Sequence, residues 1–421
     1  MKGQNILLKL FRISDLTNNI FDSYIGFIST NTYNILSFLV LTKLYSIEFY
    51  GSTQIIYISL GLVGILSLPY LNNLIQISAG EKKYERILIL LKTRTQLAIL
   101  SFLIATIIYL IFFAEIFQSK VGMIILLFLS IFGSYGLNWG FSILSGFGHF
   151  KKVKKIRIIT SIIGSLGLFF LYQIKINSPY IFVFQASLIE TIGNIIACFF
   201  GIKILIGFRK ANKFDSNTKV LISSLIKFEI ISGIANELGN RIFSIMIFYF
   251  LGPTSLGIYM VAEKITELIK KLFEPLWTPI QTNLVKKKAN FQKIPSQFLN
   301  KFINLITLVP IILIWPILYF IKNTEIGSTY IDSSIYIAFL IPTLSLQQYS
   351  KSLAVKFNAY LLMNHTKQIS IITNLVRVLT SLLLIPLLGL NGAIISTVSY
   401  RISMAFMFWK KRNILLMREY V

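Results

Sequence analysis

Glu263, Glu267, Lys270 and Glu274 recur at i, i+4, i+7 and i+11, so in a helix they share one face. The apolar segment before them carries Glu237 and Arg241, and two more arginines, Arg377 and Arg401, lie in apolar stretches near the C-terminus. If these stretches cross a bilayer, each charge at mid-depth costs about 2.5–3.5 kcal/mol even on a lenient insertion scale. Such groups face a bundle interior or a wet cavity, not lipid. Counting about ten residues from the outer end of each segment, at about 1.5 Å per residue, puts Arg241, Glu263, Arg377 and Arg401 in one layer. Glu237 and Glu267 lie a turn further in. Two readings stay open. In one, ion pairs such as Arg241 with Glu263 and Glu237 with Lys270 hold helices together. In the other, the arginines line a cavity and grip an anion, which suits a forked, permanently charged guanidinium.

The first half holds different chemistry. Its first apolar segment contains Ser29, Thr30, Asn31, Thr32 and Asn34, which could meet sugar hydroxyls or simply pack helices. Glu190 is the one deep acid there, a candidate for ion coupling or for an ordinary structural partner. The substrate-contacting candidates are therefore Arg241, Arg377, Arg401, Lys270, Asn31 and Asn34. The ion-coupling or charge-balancing candidates are Glu237, Glu263, Glu267 and Glu190. With one cysteine, Cys198, and two histidines, no disulfide framework or metal site is expected. No phosphate loop, catalytic triad or cofactor motif is present, so an enzyme is not expected.

What must position these groups is a set of membrane-spanning helices. Apolar and aromatic residues make up 55% of the 421, charged residues 14%, and mean hydropathy is +0.72. A soluble domain of this size needs more charge on its surface. Spans are expected at 23–44, 53–78, 96–114, 121–148, 156–174, 179–202, 224–250, 254–284, 302–321, 332–356, 367–387 and 391–409. The fold expected is thus all-α, with about twelve transmembrane helices. The net charge of +25 comes from basic clusters in alternate gaps. Lys82, Lys83, Arg86, Lys92 and Arg94 form one cluster; Lys151, Lys152, Lys154, Lys155 and Arg157 form another. The other gaps hold only Lys120, Lys175 and Lys322. This is the positive-inside pattern, not a nucleic-acid surface, and it puts both termini in the cytoplasm. The basic loops suit anionic lipid headgroups. The first residues read as a basic interfacial helix, not a cleaved leader.

An internal repeat divides the chain. A shift of 206 residues sets Asn34, Gly51 and Pro69 on Asn240, Gly257 and Pro275. Six spans per half is even, which implies a pseudo-twofold axis along the membrane normal with a site between the lobes. The lobes would be 1–212 and 213–421. Pro69 and Pro275 are expected to kink equivalent helices.

The segments YFLGPTSLGIYMVAEKI and KLYSIEFYGSTQIIYIS, with LLLIPLLGLNGAIISTVSY near the C-terminus, resemble the helix junctions of polysaccharide-exporter flippases. The whole chain looks like a Wzx-type O-antigen or capsule flippase of the multidrug/oligosaccharidyl-lipid/polysaccharide exporter superfamily. That resemblance implies two six-helix lobes around a central cavity in the bacterial inner membrane. It implies alternating-access movement of an undecaprenyl-pyrophosphate-linked oligosaccharide to the periplasmic leaflet, ion-coupled, for lipopolysaccharide or capsule synthesis. A monomer working beside a polysaccharide polymerase and chain-length regulator would fit. The alternatives are a small-molecule or drug antiporter on the same fold, or a membrane-embedded polysaccharide polymerase.

Overall fold

The computed structural model describes residues 2–44, 46–68, 71–112, 120–174, 178–208, 217–271, 273–289, 312, 316, 319, 331–360 and 362–420, with side chains over most of them. Every regular element among these residues is helical. In the first half, α1 spans Lys2–Leu44 and α2 Ile47–Gly64; a 3₁₀ turn then leads to α3, Leu71–Gly80. Next come α4, Tyr84–Phe112, and α5, Lys120–Leu127; a π-helical stretch, Phe128–Gly136, joins α5 to α6, Trp139–Gly146. Helices α7, Phe150–Ile174, and α8, Pro179–Phe208, complete the half. In the second half, α9 runs Asn217–Lys271, α10 Glu274–Ala289, α11 Ile331–Ala359, α12 Met363–Leu388 and α13 Leu390–Tyr420. Helix α9 contains two crossings, divided at Gly252.

Eleven of the twelve expected spans therefore appear as helix. The ninth, 302–321, is described only at 312, 316 and 319, and the lobe boundary at 212 falls outside the described residues. The described crossings form the expected all-α pair of lobes, six in the first and five in the second. No proline interrupts residues 1–44, and α1 runs on from Lys2 where a separate interfacial helix was expected. The apolar faces turned away from the bundle, such as Leu166 and Phe169 of α7 or Leu383 and Leu387 of α12, are the lipid-facing faces.

The second and eighth crossings break in equivalent places. Before Pro69, Leu68 adopts a left-handed φ of 51°. Before Pro275, α9 ends at Lys271 and α10 begins at Glu274. The breaks let α3 and α10 tilt toward each other at the end of the bundle that carries the basic loops, here the basic end. The other end is the far end.

The fourth crossing is interrupted too, and polar side chains of α8 answer it. Ser187, Thr191, Asn194 and Cys198 follow at i, i+4, i+7 and i+11. Thr191 donates to the Leu129 carbonyl at 3.1 Å, and Asn194 donates to Gly133 and Ser134 at 3.0 and 3.1 Å. The Cys198 thiol donates to Leu137 at 2.9 Å, and Ser187 pairs with Ser130. Arg94 of α4 completes the set by donating to the Tyr135 carbonyl at 2.6 Å and to the Asn138 side chain. The sequence pattern puts Arg94 among the inner-loop cations; in the structure it is fully buried. A guanidinium supplies several donors at once, and a helix with displaced carbonyls inside a bilayer needs them.

Gly252, at φ 82°, separates the two crossings of α9, and Gly389, at φ 59°, separates α12 from α13. A Cβ at either would meet nothing within 4 Å, so alanine there tests the backbone alone. Both combine positive φ with extended ψ, so Gly252→Ala and Gly389→Ala should each cost about 1–3 kcal/mol. Gly207→Ala, in helical backbone with equally open space, should be neutral or stabilising by about 0.5–1 kcal/mol. Thermal unfolding in detergent reads the opposite signs, and equal effects at the three positions would refute the assignment of strain.

Candidate functional site

The two lobes meet along the pseudo-twofold axis, through residues that the repeat makes equivalent. At the basic end, Gln76 of α3 donates to the hydroxyl of Thr282 of α10 at 3.1 Å, and the two are 206 positions apart. Gly80 lies against Val285 just beyond. At the far end the contact is reciprocal. A Cβ on Gly51 would sit 2.3 Å from the Pro253 carbonyl, and one on Gly257 would sit 2.7 Å from the Ile47 carbonyl. Ile47 and Pro253 are again repeat partners. The expected symmetry is therefore present as an isologous contact, the same patch used twice.

Arg241 crosses this interface. It belongs to α9, yet it donates to the Tyr57 and Ile58 carbonyls of α2 at 3.3 and 3.2 Å and to the Tyr135 hydroxyl at 3.2 Å. Gly61 makes room for it: a Cβ there would fall 1.9 Å from the guanidinium carbon. The expected Arg241–Glu263 pair does not form, because the arginine has turned into the opposite lobe. Arg377 stays within its lobe, buried, donating to the Asn240 side chain. Its guanidinium lies over the Phe243 and Tyr400 rings at 4.3 and 5.2 Å. Arg401, also buried, donates to the Leu340 carbonyl at 2.6 Å and the Thr343 hydroxyl at 2.8 Å. Glu263 lies in the electrostatic field of Arg377, Arg401 and Lys270. The expected arginine layer thus divides: Arg377 and Arg401 sit with Glu263 inside the second lobe, while Arg241 points into the first.

Glu267 is half-exposed and paired with Lys264 at 3.3 Å and Lys271 at 3.2 Å. Lys270, half-buried on the same helix, lies in range of Glu263 and Glu267. The Glu237 side chain lies outside the described residues. Glu190, expected to lie deep, has an exposed side chain and stands in the electrostatic field of Lys271 of the other lobe. Asn31 is buried, and its side-chain oxygen meets no hydrogen-bond partner among the described residues. Asn34, on the same helix, is half-buried. The neighbouring hydroxyls of Ser29, Thr30 and Thr32 are spent on carbonyls of their own helix, at 2.9–3.1 Å.

A cavity of about 230 Å³ opens between the lobes toward the basic end. Arg157, Gln76, Ser142 and Ser145 line it from the first lobe, and Glu274 and Thr278 from the second. The basic-cluster pattern puts Arg157 in a topology loop, but it stands inside α7 with its guanidinium 5.6 Å from the Phe141 ring. Helical phase is the signal that separates it from Lys151, Lys152 and Lys155: Arg157 follows Lys154 and Val153 on a face that also carries Ser161 and Gly164.

No family model and no curated protein matches this chain. Solved structures do share its fold. One is the outward-facing conformation of a multidrug resistance MATE family transporter of the MOP superfamily, with a TM-score of 0.68 over 96% of each chain at 14% identity. A second is a MOP superfamily transporter from Pyrococcus furiosus, whose binding pocket is described as having reverse polarity. It gives 0.69 over 95% of each chain at 14% identity. A MATE bound to MaD3S gives 0.70 over 97% of each chain, again at 14% identity. Such likeness establishes the fold: two lobes that follow those structures from end to end.

The Arg241 bridge makes a coupled pair with Gly61. Arg241→Ala should lower stability by about 1.5–3 kcal/mol through lost charge-assisted bonds. Gly61→Ala should cost a similar amount by evicting the guanidinium, yet little in the Arg241→Ala background, where the space is vacant. A double-mutant cycle on thermal unfolding in detergent measures this, and additive losses would exclude the contact.

Proposed function

We propose that this chain is an alternating-access transporter that carries a polar solute or headgroup between its two lobes. The symmetric seam is the observation that carries this reading. Each end of the axis is closed by small contacts: glycines against backbone at the far end, an amide–hydroxyl bond and a glycine–valine contact at the basic end. Among the described residues neither closure contains an ion pair, so parting either one separates no paired charges. Two rigid lobes meeting through such seams suit a rocking motion, which uncovers the interlobe groups to one side and then the other.

Two solute classes fit. The likeness to multidrug MATE structures supports a small-molecule antiporter, and it supports that better than a lipid-linked flippase. The flippase reading, with cytoplasmic termini in a bacterial inner membrane, is favoured by the groups facing the interface. Arg157 lines the cavity and Lys271 stands near Glu190 across the interface, so cationic groups reach the interlobe space from both lobes, and a lipophilic cation would not select them. A pyrophosphate-linked oligosaccharide would. In both readings Glu190, Glu263 and Glu267 are the groups that could couple transport to an ion.

Two whole-cell assays separate the readings. Expression in a strain stripped of its multidrug exporters should lower drug sensitivity if the chain is an antiporter. Deletion in the native host should abolish surface polysaccharide if it is a flippase. In either setting, cross-linking Gln76→Cys to Thr282→Cys in a Cys198→Ser background should stop activity until the link is reduced. Full activity in the linked state would rule out rocking at that seam.

A further inference from the structure

We infer that the interlobe cavity at the basic end is a binding site for a single sugar ring, with Arg157 and Glu274 as its two anchoring groups. The inference deepens the flippase reading by naming where a glycan unit would be held, and its test does not depend on transport.

The buried polar groups divide into those already spent on protein partners and those left free. Arg241, Arg377, Arg401 and Arg94 all donate to protein acceptors. Arg157 is different. Its guanidinium makes no hydrogen bond and no ion pair with any described residue, although it lines the cavity and feels the charge of Glu274. Glu274 likewise has no ion pair among the described residues, and its carboxylate faces the same space from the other lobe. An arginine presents five donors and a carboxylate about four acceptor sites, so the two walls offer a donor set opposite an acceptor set.

The hydroxyls point the same way. Many helical serines and threonines return their hydrogen bond to a carbonyl one turn back, as Ser59, Thr106 and Ser244 do, while Ser78 and Ser345 are single unspent hydroxyls outside this cavity. The hydroxyls of Ser23, Ser142 and Ser145 make no such bond, nor any other among the described residues, and all three line this cavity. Groups left unspent at a buried wall are those a ligand or water must satisfy. Phe27, Phe141 and Phe150 supply apolar surface beside them. A hexose ring has the matching character: a rim of hydroxyls that both donate and accept, and apolar C–H faces that lie on aromatic rings. At about 230 Å³ the cavity falls below the roughly 300–1,000 Å³ of drug-sized sites.

The test uses the full chain in detergent with Cys198→Ser, and Ser142→Cys as a nearly isosteric reporter. Methyl glycosides of a hexose, an N-acetylhexosamine and a hexuronic acid are the probes, added before a small methanethiosulfonate reagent. At least one glycoside should slow labelling threefold or more. Arg157→Lys and Glu274→Gln should each remove that protection while leaving the sugar-free labelling rate within twofold, which shows the cavity still formed. The inference is overturned if no glycoside protects, or if protection survives both substitutions. It is also overturned if a zwitterionic amino acid or a lipophilic cation protects while the glycosides do not. Glycoside protection with a negative result in both whole-cell assays would uphold the site and remove the transport reading.

Discussion

A helix broken inside a hydrocarbon layer leaves carbonyls that no solvent can reach, and the first lobe is arranged around that constraint. The fourth crossing changes from α- to π-helical bonding over Phe128–Gly136, which displaces its carbonyls, and α8 meets the stretch with four polar side chains on one stripe, three on carbonyls and Ser187 on the Ser130 hydroxyl. Arg94 adds a fifth partner from α4. Through these bonds the interrupted crossing is fixed between two neighbours and not left to flex. Tyr135 then stands with its carbonyl held by Arg94 and its hydroxyl offered to Arg241 of the opposite lobe. One local departure from helical geometry thus sets both the packing within the lobe and one of the contacts between lobes.

The same accounting sorts the cations by what they do. Arg94, Arg377 and Arg401 sit deep and are held by carbonyls, amides, hydroxyls and aromatic faces, which lets a buried guanidinium persist without a carboxylate in contact. Arg241 is held in the same way, but across an interface. Arg157 alone among these five meets no described acceptor, so it keeps its binding capacity. Depth in the membrane does not by itself mark a ligand-binding arginine; what remains of its donor set does.

Much of the fold is readable in the sequence because its signals are long. Runs of about twenty apolar residues, alternation of basic gaps and a shift of 206 that aligns glycines and prolines all average over many positions. Gly51 and Gly257 prove to be contact points, as residues that recur in both halves at the axis should. The site is less readable because it depends on rotation about each helix axis. Arg241 and Glu263 share a depth, but depth does not say that one faces the other lobe. Arg94 and Arg157 stand near basic clusters at span ends, and a charge count assigns the whole cluster to topology. The stripe Ser187, Thr191, Asn194, Cys198 is visible in the sequence at helical spacing, yet its meaning appears only beside the π-helical stretch it serves.

The bond between Gln76 and Thr282 says something about ancestry. In a homodimer of six-helix subunits, the axis would bring each residue at this position against its own copy, and any substitution would strike both partners at once. Once the two copies are covalently joined, the position can hold an amide on one side and a hydroxyl on the other. One helix can then change while its counterpart is conserved. A fused chain can therefore evolve a directional pathway, with unlike walls facing one another, in a way that a dimer of identical subunits cannot.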